Sequence, residues 1–93
     1  MMKDIKHKRI PNSLRKYRKA KGLTQKDVVR VLGLKSTSMI SRWENGLCLP
    51  SPMYIFSLAL LYHVMADALF IGLKRRLEKD INKAEQKLLQ DES

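Results

Sequence analysis

The chain is predicted to be all-α, on three observations. No stretch alternates apolar and polar residues with the period of two that a half-buried strand needs. Apolar residues recur at spacings of three and four, as in Ile55, Leu58, Ala59 and Tyr62. Each such run is bracketed by residues that start and stop helices, and Gly22, Gly33 and Gly46 close three of them in succession.

Residues 1–11 read as a basic arm without period, flexible until something anionic orders it. Asn12 is placed to cap a first helix running to about Lys21, with Leu14, Tyr17 and Arg18 on one face. Thr24 is the expected N-cap of a second helix. Asp27 stands at the capping-box position, and Leu23 and Val28 stand where a hydrophobic staple forms, although the box normally ends in Glu or Gln. Val28, Val29, Val31 and Leu32 predict that this helix is mostly buried. Ser36 or Thr37 caps a third helix, about residues 37–45, with Ile40 and Trp43 turned inward and Asn45-Gly46 at its end. Pro50-Ser51-Pro52 restarts the chain, Ser51 as cap and Pro52 at the first helical position. A fifth helix begins near Met65 and carries Ala68, Leu69 and Leu73. Beyond it, Leu77, Ile81, Ala84 and Leu88 are spaced four, three and four, the a/d spacing of a coiled coil.

Ninety-three residues suffice for one small domain. Their net charge of +10 favours a polyanionic partner, nucleic acid before an anionic membrane surface. The charge is concentrated at the front. Residues 1–21 hold nine Lys or Arg against one Asp, whereas residues 74–93 hold six basic and five acidic side chains. Cys48 is the only cysteine, which excludes an intrachain disulfide and a cysteine metal cluster. No apolar run follows the basic N-terminus, so a secretory signal is not expected and a cytoplasmic location is. Met53 to Leu73 is apolar, but Ser57, His63 and Asp67 interrupt it, and two helices with a break near His63 explain it better than a membrane span.

Two short helices joined at Gly33, with hydroxyl residues opening the second, form a helix-turn-helix pattern. The chain resembles the lambda-repressor-like, Cro/CI-type (XRE) regulators. The resemblance lies in Leu14, Arg15 and Arg18; in Gly22-Leu23-Thr24-Gln25; in Leu32-Gly33; in Ile40-Ser41-Arg42-Trp43-Glu44-Asn45-Gly46; in Pro50; and in Leu58-Ala59 through Val64 to Leu69-Phe70. It implies five helices of a helix-turn-helix domain over residues 12–72, with residues 73–93 as a C-terminal amphipathic helical extension. It also implies a DNA-binding regulator, a repressor, whose third helix enters the major groove. Thr37, Ser38, Ser41 and Arg42 would then face the bases, with Arg42 carrying most of the discrimination through guanine O6 and N7. Gln25, Lys35, Ser36 and Asn45 would meet phosphates, Ser36 serving as a helix cap on the plainer reading. Arg18 and Glu44 resemble the family's buried ion pair.

Two departures from the family's habit stand out. Ile40 stands seven residues after the turn glycine where six is usual, and Val29 replaces an alanine at the approach of helices 2 and 3. The longer turn and the bulkier contact are hypothesised to compensate each other. His63 and Met65 likewise replace the smaller capping residues common between helices 4 and 5.

The expected partners are double-stranded DNA, as a palindromic operator, and a second copy of the chain joined through Leu77, Ile81, Ala84 and Leu88. Dimerisation is favoured for that seam over a protein partner, as in an antitoxin that binds its own promoter, or a fold back on helix 5. Lys3, Lys6, Lys8 and Arg9 of the arm would add phosphate or minor-groove contacts. No catalytic constellation, phosphate-binding glycine loop or metal-ligand spacing is present, so neither an enzyme nor a cofactor is expected.

Overall fold

The computed structural model describes residues 9–92. Six helices follow one another: α1 (Leu14–Ala20), α2 (Gln25–Leu32), α3 (Ser38–Glu44), α4 (Pro52–Tyr62), α5 (Ala66–Leu69) and α6 (Ile71–Glu92). No strand occurs among the described residues, and no helix there is long and apolar enough to cross a membrane.

The first five helices close around one core. Leu14, Val28, Ile40, Trp43, Leu58 and Leu69 are almost wholly buried, with Ala59, Tyr62 and Phe70 at the margin. Trp43 tilts against Tyr54 with ring centroids 5.3 Å apart. Burial pushes the Tyr62 phenol up to about 12, so it stays neutral at any ordinary pH.

The starts of α1 and α2 are set by side-chain chemistry. Asn12 Oδ1 accepts the N–H of Leu14 at 3.0 Å, one of the orphan donors at the start of α1. At α2 the capping box is complete despite the short aspartate: Thr24 Oγ1 accepts from Asp27 N at 3.0 Å, and Asp27 Oδ2 accepts from Thr24 N at 2.9 Å. Helix α2 ends at Gly33, whose φ of 72° suits a residue without Cβ, and the Val29 carbonyl accepts both Gly33 N and Leu34 N.

Residues 33–37 lie outside the helices, so the longer connection is taken up before α3 begins. Ile40 and Trp43 therefore still point into the core, at 1% and 2% exposure. Val29 is half-buried and packs on that core.

Four expectations need correction. Helix α2 is less buried than its valines imply: Val28 is enclosed, but Val31 is 60% exposed because at two residues from the half-buried Val29 it points to nearly the opposite side of the helix. The start of the chain is not loose as far as Pro11. Ile10 N donates to Gly46 O at 2.9 Å and Arg9 Nη1 to Asn45 O at 2.8 Å, so Arg9 and Ile10 are fixed on the end of α3. Lys3, Lys6 and Lys8 lie outside the described residues.

The helix expected from Met65 breaks at Phe70 (φ −132°, ψ 41°), and this bend lets the ring turn into the core while α6 departs. The C-terminal helix does not fold back either, since every side chain from Lys74 to Asp91 is exposed.

The break between α4 and α5 falls at His63, which adopts a left-handed conformation (φ 59°) without being glycine. Met65 follows as an N-cap whose side chain makes no capping bond.

Candidate nucleic-acid interface

Helix α3 is held mainly from its C-terminal end. There Glu44, with a side chain 1% exposed, gathers donors from the two preceding helices. Arg18 of α1 grips it in a fork, Nε to Oε2 at 2.6 Å and Nη2 to Oε1 at 3.1 Å. Arg15 Nε reaches Oε1 at 3.3 Å and Gln25 Nε2 of α2 reaches it at 3.0 Å. The remaining face of Arg18 donates through Nη1 to Leu23 O at 2.9 Å, which ties the α1–α2 turn to the same carboxylate.

Burial pushes the Glu44 carboxyl up, but the hydrogen bonds from Arg18 and Gln25 and the charges of Arg18 and Arg15 outweigh it and hold the group below the usual carboxylate range. The bond to Glu44 raises Arg18 in turn, against its own burial. The pair is thus ionised throughout the physiological range, and it fixes the mutual setting of α1, α2 and α3.

Asn12 adds a second tie. Its amide donates to the carbonyls of Trp43 at 3.2 Å and Glu44 at 3.4 Å, in the last turn of α3, and the Trp43 carbonyl also accepts from Gly46 N at 3.0 Å. Sequence reasoning gave Asn12 only a local capping role, because a long-range bond to backbone carbonyls leaves no trace in spacing. Arg15 was matched without a role. Its Nη2 donates to Asn45 Oδ1 at 2.9 Å, so it bridges α1 to the end of α3 while remaining half-exposed.

The residues expected to meet DNA fall into two groups. Ser38, Ser41 and Arg42 occupy neighbouring turns of α3, and Asn45 follows as its C-cap. Among the described residues, the Arg42 guanidinium is exposed and has no hydrogen-bond or ion-pair partner. Ser41 is half-buried and its hydroxyl accepts from Asn45 Nδ2 at 3.5 Å. Thr37 precedes α3 in a helical backbone conformation, and its hydroxyl makes no capping bond. Ser36 Oγ accepts the Ser38 N–H at 3.3 Å, which gives it the local capping part.

Lys35 is exposed in the turn. Gln25 is half-buried and its amide nitrogen is turned inward onto Glu44, away from the start of α2 where it was expected to meet a phosphate. Leu77, Ile81, Ala84 and Leu88 lie exposed on α6 and take no part in this cluster.

No His, Cys, Asp or Glu cluster able to hold a metal occurs among the described residues. No curated protein and no solved structure matches the chain. A family model for helix-turn-helix proteins matches residues 14–69, the span from the first residue of α1 to the last of α5. That span is well over half of the chain, and the protein belongs to the helix-turn-helix family of Cro/CI-type regulators.

Proposed function

We propose that the protein is a cytoplasmic repressor of transcription that binds a palindromic operator in double-stranded DNA as a homodimer, with α3 in the major groove. The observation that carries this reading is Arg42: a free guanidinium on a short helix whose rear is locked by the buried Arg18–Glu44 pair. A planar, always-charged fork of donors on a rigid mount suits the bidentate reading of guanine. Thr37, Ser38 and Ser41 supply hydroxyls that tolerate several bases. Lys35, Asn45 and the amides at the start of α2 contact phosphate, and so does Ser36 where its hydroxyl is shared.

Selection of bound sites from random duplex DNA tests the reading. A two-fold symmetric site is expected, with affinity falling steeply as salt rises because phosphate neutralisation releases counterions. Arg42→Ala should relax preference at one base per half-site, by about 1–3 kcal/mol. Salt-insensitive or absent binding sinks the proposal.

A second reading, an antitoxin-type autoregulator, draws on the exposed apolar face of α6, where Leu77 and Ile81 are 50% and 60% exposed. A small protein that co-purifies through residues 74–92 and is lost on replacing Leu77 and Ile81 would favour it.

A further inference from the structure

Helix α6 leaves the core with its apolar seam uncovered. Leu77, Ile81 and Leu88 are 50%, 60% and 59% exposed. At its first half the seam runs into a groove of about 380 Å³ whose walls include Leu49, Ile55, Phe70 and Leu73 besides Leu77 and Ile81. The seam has a property that follows from its spacing: four, three, four reads the same in both directions.

We infer that the occupant of this seam and groove is α6 of a second copy, running antiparallel, with Leu77 opposite Leu88 and Ile81 opposite Ala84. The inference rests on the dimer proposed above and gives it an orientation and a register. In this register a large side chain meets a small one at the two central layers, and leucine meets leucine outside them. Both ends of the seam are charged. Lys74 precedes Leu77 by three residues and Asp91 follows Leu88 by three, so the antiparallel pair sets Lys74 against Asp91 of the second copy at each end.

A parallel pair sets lysine against lysine and aspartate against aspartate. On the flanks, antiparallel pairing brings Asp80 to Lys87 and Glu78 to Glu85. Parallel pairing brings Asp80 to Glu85, with Lys87 near Glu92 at the end. The flanks alone are divided; the charged ends decide for the antiparallel arrangement. Lys74 now holds Asp67 at 2.9 Å, an exposed pair that exchange for Asp91 costs little.

Size argues for the groove as well. The face of α6 from Lys74 to Asp91 is roughly 27 Å long and about 10 Å wide. A helix face of that size falls short of the roughly 800 Å² per partner of a standard interface. Leu88 of the second copy, entering beside Leu77, extends contact to the walls of the groove, twice by symmetry. The same register sets the two Ile71 residues about 35 Å apart along the helix pair, the scale of one turn of DNA.

Disulfide trapping reads out orientation directly. In a Cys48→Ser background, so that only introduced thiols react, Leu77→Cys and Leu88→Cys variants are oxidised separately and as a mixture. Circular dichroism checks that both are folded. The mixture should give covalent dimer at least tenfold faster than either variant alone. Self-linking of each variant by itself overturns the orientation, and a wild-type chain that sediments as a monomer at about 100 μM overturns the interface.

Lys74→Glu should weaken the dimer about tenfold, and adding Asp91→Lys should restore it. Failure of the second change to rescue the first counts against the register. DNA titration of the same samples separates the two proposals. A monomer that still binds DNA with steep salt dependence leaves the DNA reading standing and removes this one. A trapped dimer that ignores DNA does the reverse.

Discussion

The two ends of α3 are built on opposite plans. Its C-terminal end holds a buried tryptophan, a carboxylate gripped by two arginines and a glutamine, and carbonyls closed by Asn12. Its N-terminal end holds three hydroxyl residues, and the one capping contact is that of Ser36 to Ser38 N at 3.3 Å. The start of α2, a few residues earlier, shows that the chain can build a full capping box. The difference teaches where rigidity and availability lie. The rear of α3 is spent on position, and the front is where the proposed DNA contacts of its hydroxyls fall.

The largest expected effect comes from breaking the rear. Glu44→Gln keeps the shape but leaves the buried Arg18 without a counter-charge, and should cost about 3–5 kcal/mol in chemical denaturation. Acid does the same by degrees. Glu44 releases its proton more readily folded than unfolded, so the unfolded chain binds more protons in this range. Its contribution is whole above the ordinary glutamate value of about 4.3 and is lost as pH falls through the lower folded value. Asp27, held low first by the Thr24 backbone N–H and then by its hydroxyl, shifts stability the same way. A melting temperature that drops below about pH 4.5 checks both; one that is flat from pH 6 to pH 3 would refute them.

Next in size is Gly46→Ala. At φ 74° a side chain costs about 1–2 kcal/mol, and the new Cβ would meet the Ile10 carbonyl oxygen at 2.6 Å. Protection of the Ile10 amide from hydrogen exchange should fall along with stability.

The fronts of the two helices provide a smaller and more diagnostic contrast. Thr24→Ala should lose about 1 kcal/mol with its cap. Thr37→Ala should change stability by less than about 0.5 kcal/mol yet weaken operator binding. If Thr37→Ala instead destabilises as much as Thr24→Ala, the contrast between the ends of α3 fails. Val29→Ala is expected to lower the melting temperature by about one or two degrees as the packing under the longer turn loosens. A rise would show that the valine crowds the contact.

What was legible in the sequence follows from how each feature is encoded. Thr24, Asp27 and Gly33 act on backbone within a few residues, so identity and spacing revealed the start and stop of α2. The core positions of α3 and α4 were legible because helical periodicity carries them past an inserted residue: Ile40, Trp43, Leu58 and Tyr62 are all enclosed.

Docking of Arg9 and Ile10 was hidden, since their bonds go to the carbonyls of Asn45 and Gly46 and any residue at those positions offers the same acceptor. The inward turn of Gln25 was hidden because a glutamine at a helix start suits a phosphate and a carboxylate equally. No glycine or proline stands at Phe70 itself, Gly72 lies inside the first turn of α6, and the break coincides with a buried ring that spacing alone does not announce.

Trp43 is the chain's single tryptophan, and its enclosed indole N–H has no hydrogen-bond partner among the described residues. An indole in so dry a setting emits at short wavelength, and water or a polar partner shifts it to the red. The seat of α3 therefore carries its own optical reporter. Acid that protonates Glu44, or a substitution that lifts the end of α3, will register in one emission band.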